Sequence, residues 1–99
     1  MENKISYNMG KYIFEIKSDK LFVIDNPISD LSSLDFFEIS KIDGIYNYKG
    51  QSNEKNFAIA LMVNGNFYYR TVDRTKENIT MFKEMINQIV EVKQKLNQR

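Results

Sequence analysis

The amino-acid sequence predicts an α+β fold, a curved and mostly antiparallel sheet or small barrel of about five to seven short strands capped by one C-terminal helix. Three observations carry this. Residues 11–17 alternate, with Tyr12, Phe14 and Ile16 on one face and Ile13, Glu15 and Lys17 on the other, the period of a half-buried strand. Asn64-Gly65 separates two apolar runs, and both residues tolerate the positive φ that a two-residue hairpin turn demands. From Thr75 the apolar period becomes helical, with Ile79, Phe82, Ile86 and Ile89 in one stripe.

The elements follow in order. A short strand around Ile5 to Tyr7, ending at Gly10, precedes the alternating strand from Lys11 to Lys17. Ser18-Asp19-Lys20 supplies turn chemistry, because short polar side chains bond their own backbone. Leu21 to Asp25 is almost wholly apolar, which places it centrally or covered on both faces. Asn26-Pro27 stops it, since proline has no N–H to donate. Ile28 to Leu34, with Ser29, Asp30, Ser32 and Ser33, reads as a loop or short helical turn. Phe36 to Ile45 carries both periods; the reading is a strand, a bend near Asp43-Gly44, and a strand again to Lys49. Gly50 to Asn56 is a polar, exposed loop.

Strands at Phe57–Val63 and Phe67–Val72 flank the Asn-Gly turn. The helix spans about Thr75 to Leu96, widened by Met85, Val90 and Val92. Thr75 or Asp73 caps it, Glu77 suits its first turn, and Lys93, Lys95 and Arg99 suit its end. Roughly 20 residues at 1.5 Å each reach about 30 Å, enough to cross a small sheet. The expected core is Tyr12, Phe14, Ile16, Leu21, Val23, Phe37, Ile39, Ile59, Leu61, Phe67, Phe82, Ile86 and Ile89.

The 99 residues make one domain, 42% hydrophobic and 13% aromatic, with neither cysteine nor histidine nor tryptophan. Missing histidine and cysteine remove the commonest proton shuttle, the thiol nucleophile and the usual zinc ligands. A formal net charge of +1 excludes a globally basic surface of the kind that binds phosphate backbones. No apolar run spans a bilayer and no basic-then-apolar leader opens the chain, so a cytoplasmic protein is expected. Abundant Ile, Lys, Asn and Tyr match AT-rich codons, as in a low-GC bacterium, its phages or its mobile elements.

The hairpin around Ser18-Asp19-Lys20, the segment Phe37-Glu38-Ile39-Ser40-Lys41-Ile42, the Asn64-Gly65 hairpin and the helix from Thr75 together resemble the pleckstrin-homology-like superfold. That architecture is a strongly bent antiparallel sheet plugged by a C-terminal amphipathic helix. The resemblance implies partner binding rather than catalysis. It does not imply phosphoinositide binding: Lys17 and Lys20 beside Asp19 fall short of the basic first hairpin of lipid-binding members, and the tryptophan of the eukaryotic helix is missing.

Three patterns nominate site residues. Tyr46, Tyr48 and Lys49 with Tyr68, Tyr69 and Arg70 interleave aromatics and cations, a pattern that suits packing, protein contact or single-stranded nucleic acid. Alternation sends Tyr68 and Tyr69 to opposite faces, so one belongs to the core. Residues 57–63 hold no charge on either face; Ala58, Ala60 and Met62 form a shallow second face that needs a cover, expected to be a second copy of the chain or a protein partner. Asp35, Glu38 and Asp43 are the carboxylates a divalent metal would need. The helix stripe is too broad for a strict coiled-coil seam.

The expected function is therefore a small non-enzymatic binding protein without cofactor or metal, one that blocks a host factor on behalf of a phage or mobile element. Its contact residues are Tyr46, Tyr48, Lys49, Ala58, Ala60, Met62, Tyr69 and Arg70. The alternatives are a nucleic-acid module using Tyr46, Tyr48, Lys49 and Arg70, and a metal-dependent carboxylate enzyme.

Overall fold

Two antiparallel meanders and one helix appear in the computed structural model, which describes residues 4–25 and 33–98. The first meander runs β1 (Lys4–Asn8), β2 (Tyr12–Lys17), β3 (Lys20–Asp25) and β4 (Ser33–Glu38). The second runs β5 (Ile42–Asn47), β6 (Asn56–Val63) and β7 (Asn66–Asp73), and helix α1 (Lys76–Asn97) follows. Turn chemistry sets both tight hairpins. Asn64 and Gly65 take φ of 51° and 81° between the paired Val63 and Asn66, as a two-residue turn requires. Ser18 alone carries positive φ, 57°, in the β2–β3 turn. The expected stop at Asn26-Pro27 and most of the loop from Ile28 fall outside the described residues, while Ser33 and Leu34 open β4 rather than ending a loop.

The corner between the meanders lies earlier than the expected bend at Asp43-Gly44. The chain breaks in one 3-10 turn at Ile39–Lys41, where the Ile39 side chain is fully buried and its N–H donates to the Asp19 carbonyl at 2.9 Å. Burial of that side chain between the sheets fixes the corner there. Asp43 instead occupies a β-bulge, where the pairing of β5 with β6 slips between Ile42 and Gly44.

The sheets do not close into a barrel. The 3-10 turn interrupts the ladder between β4 and β5, and side chains rather than backbone link β4 to β7. Asp35 ion-pairs with Arg70, and the Phe37 and Tyr68 rings lie 5.0 Å apart.

One buried cluster joins both sheets and the helix. Phe14, Ile16, Leu21 and Val23 enter it from the first sheet, Ile59 and Leu61 from the second, and Phe82, Met85 and Ile89 from α1. Tyr12, Phe37 and Ile86, expected inside, pack at its margin, and Met85 takes the deepest helical position. Phe67 is a correction: it pairs opposite Met62 on the outward face and stays 39% exposed. Tyr7, Met9, Ile42, Phe57 and Val72 join the core unforeseen.

Thr75 caps the helix, its hydroxyl accepting the Asn78 N–H at 3.0 Å. Asp73 serves through its backbone carbonyl, which accepts the buried Asn78 amide at 2.9 Å. Among the described residues no helix is long and apolar enough to cross a membrane.

Candidate functional site

Strand β6 has two apolar faces of different size. Phe57, Ile59, Leu61 and Val63 fill the core, while Ala58, Ala60 and Met62 point the other way. On that outward side Ala60 stands between Tyr46 of β5 and Tyr69 of β7, and Met62 between Gly44 and Phe67. Alanine leaves room above the central strand, so rings from the two flanking strands meet across it. Tyr48 lies 5.0 Å from Phe67 and 5.5 Å from Tyr69, both edge-on. Phe67 lies 5.9 Å from Tyr69 and 6.1 Å from Tyr46. These are the separations at which aromatic pairs attract.

The outcome corrects one expectation. Ala58 and Ala60 are 0% exposed, because the chain's own rings cover the alanine face that seemed open to a partner. What faces solvent is the covering layer itself: Tyr46, Phe67 and Tyr69 each remain 39% exposed. Tyr46, Tyr48 and Tyr69 are thus brought together as the sequence suggested, and Phe67 joins them. Phe67 was legible from alternation with Tyr69, two residues away on the same strand.

Local structure holds this layer. A 3-10 turn at Lys49–Gln51 follows Tyr48, and a Cβ on Gly50 would lie 3.0 Å from the Tyr48 ring, so glycine permits the ring's close approach. The Ser52 hydroxyl accepts the Ala58 N–H at 3.0 Å and lies 2.8 Å from the Tyr48 carbonyl and 2.7 Å from the Asn47 side-chain oxygen. That clamp ties the end of β5 to β6. Asn53 turns the following loop by accepting the N–H groups of Lys55 and Asn56 at 2.8 and 2.9 Å.

The cations do not gather on this face as the interleaved pattern implied. Lys49 is exposed in the turn beside Tyr48. Arg70 points to the opposite face, paired with Asp35 and 5.8 Å from the Tyr12 ring. Tyr68 accompanies it there, against Phe37, but is 37% exposed against 39% for Tyr69, so neither belongs to the core as alternation led one to expect. The carboxylates are also dispersed: Asp35 meets Arg70, Glu38 meets Lys41 at 3.4 Å, and Asp43 is exposed on the bulge. Among the described residues no cluster of three metal-ligating side chains forms.

A second apolar face escaped the sequence reading. Phe22 and Ile24 of β3 point outward beside Phe36 and Leu34 of β4, their register partners, and Leu34 and Phe36 are 57% and 59% exposed. The signal was present in the unbroken apolar run Leu21-Phe22-Val23-Ile24. An apolar run of this kind predicts a strand that is central or covered on both faces; β3 is interior to its sheet, between β2 and β4, but only Leu21 and Val23 are buried and the second face is not covered.

No protein family, curated protein or solved structure matches this chain.

Proposed function

We propose that this is a non-enzymatic protein-binding module whose contact surface is the outward aromatic layer of the second sheet. The carrying observation is the meeting of Tyr46, Tyr48, Phe67 and Tyr69 over two buried alanines, every one of these rings except Tyr48 more than a third exposed. Tyrosine combines a large apolar area with a polar tip at low conformational cost, which makes it a favoured anchor in protein contacts. The rings already brace one another, so little ordering entropy is left to lose on binding. Element order supports the pleckstrin-homology-like reading of the fold: a four-strand meander, a three-strand meander and a terminal helix. Small size and AT-biased composition support a phage or mobile-element role in blocking a host factor, within the cytoplasm.

Nucleic-acid binding is the weaker reading, because Arg70 is turned away and engaged by Asp35. With Lys49 as the one cation of the pattern left beside the rings, the stacking platform has little of the dominant phosphate-neutralising term. The test is affinity capture from a low-GC bacterial extract with wild type and Tyr69→Ser in parallel. A protein retained by wild type and lost by the variant supports the proposal. Equal capture by both proteins contradicts it, as does single-stranded DNA binding at about 50 mM salt that Tyr46→Ala or Tyr48→Ala weakens.

A further inference from the structure

The outward face of the first sheet is laid out by register. Phe22 stands beside Phe36, Ile24 beside Leu34 and Lys20 beside Glu38, each pair directly opposite across β3 and β4. Alternation puts all six on one face, because Leu21 and Val23 between them are buried. Four of the six are large and apolar, and Leu34 and Phe36 are more than half exposed. A hollow of about 300 Å³ opens on the same face, lined by Glu15, Phe22, Ile24 and Leu34 among others, but not by Phe36. The patch thus holds both a ring that stands out and a recess able to take one.

These features complement a second copy of themselves. A two-fold axis running along the strands between β3 and β4 lays β3 of one copy over β4 of the other. Residues of one row then meet: Phe22 faces Phe36 of the second copy, Ile24 faces its Leu34, and Lys20 faces its Glu38. Apolar side chains meet apolar ones, and opposite charges meet twice at one end. An axis turned across the strands on the Phe22–Phe36 row would instead set Leu34 over Glu38 and Ile24 over Lys20, desolvating charges against apolar groups. Lys20 and Glu38 make half-exposed pairs with Asp19 at 3.2 Å and Lys41 at 3.4 Å, and such pairs exchange at little cost.

We infer that the chain forms a weak two-fold dimer through this face, with β3 and β4 of each copy packed on β4 and β3 of the other. Six central residues a side fall short of the roughly 20–30 of a standard interface. In dilute solution the chain is therefore a monomer with this face in water, and dimers form as concentration rises. The surface is separate from the aromatic layer, so the two fail separately.

The test is sedimentation equilibrium of the full chain from about 10 μM to about 1 mM, with variants in parallel. A monomer–dimer equilibrium is expected. Phe36→Ser, at an exposed ring outside the core, should weaken it about tenfold or more. Lys20→Glu and Glu38→Lys should each weaken it about threefold by setting like charges opposite one another. An equimolar mixture of those two variants should dimerise again, since each copy then brings the charge that the other needs. Tyr69→Ser should leave the equilibrium unchanged. A chain that is monomeric at every concentration overturns the dimer, and so does a dimer indifferent to Phe36→Ser. A dimer lost with Phe36→Ser but not restored by mixing the charge variants overturns the two-fold pairing. A monomer that binds phosphatidylglycerol vesicles through Phe36 also overturns it, and assigns the face to a lipid surface.

Discussion

Strands β3 and β6 pose the same problem and solve it differently. Both are apolar on two faces, and each gives one face to the shared core. In β6 the second face is Ala58 and Ala60, small enough for rings from β5 and β7 to close over it, and both alanines are fully buried. In β3 the second face is Phe22 and Ile24. These side chains are too large to be bridged, and they extend an outward patch with Leu34 and Phe36 instead, the Phe22 and Phe36 rings 6.1 Å apart. Lost alternation therefore marks a doubly apolar strand, and side-chain size decides whether the neighbours on its own sheet can cover it.

The contrast can be broken by substitution, beginning beneath it. Phe82 sits 5.6 Å from Phe57 on the inner side of β6, and Phe82→Ala should cost about 3–5 kcal/mol in denaturant unfolding. A loss under about 1 kcal/mol would mean that α1 is not docked through this ring. Ala60→Leu should cost about 1–3 kcal/mol, because the added carbons push against the covering rings. A neutral result there would show that the layer does not depend on a small residue. The corresponding change on the β3 side, Phe36→Ser, should stay within about 0.5 kcal/mol, since the ring is mostly in water. Ala60→Arg should unfold the domain outright, because it places a charge beneath the rings at a fully buried position.

A pH profile sharpens the picture of the first sheet's inner face. Burial, and secondarily the Glu84 carboxylate, raise the Tyr7 hydroxyl above the usual tyrosine value of 10.0. The folded state then holds that proton more tightly than the unfolded chain. Its contribution to stability is complete below about pH 10 and is lost as pH rises through the folded value. Unfolding measured across that range should show a decline that Tyr7→Phe reduces; an unchanged decline would assign it to other groups.

Most of the secondary structure was legible because it rests on local rules. Period two gave β2, Asn-Gly gave the β6–β7 turn, and Thr75 with its stripe gave α1. The β4–β5 corner was not legible, because Phe36 to Ile45 satisfies two periods and the choice is made by burial of Ile39 against distant residues. The candidate site was half legible. Tyr46, Tyr48 and Tyr69 share a face by alternation, but which strands would flank Ala60, and hence which rings would cover it, is a matter of register. Arg70 was misplaced although alternation already sets it on the face of Tyr68, away from Tyr69; only its partner Asp35, 35 residues away in sequence, is a matter of tertiary packing.

The most direct measurement is methyl NMR with a soluble paramagnetic relaxation agent, comparing the alanines of β6 with Leu34 of β4. The account predicts that the Ala58 and Ala60 methyls are protected and ring-current shifted, with contacts to the Tyr and Phe protons above them, while the Leu34 methyls are strongly attenuated. Attenuated Ala60 beside protected Leu34 would contradict it, because the alanine face would then be open and the β3–β4 face covered.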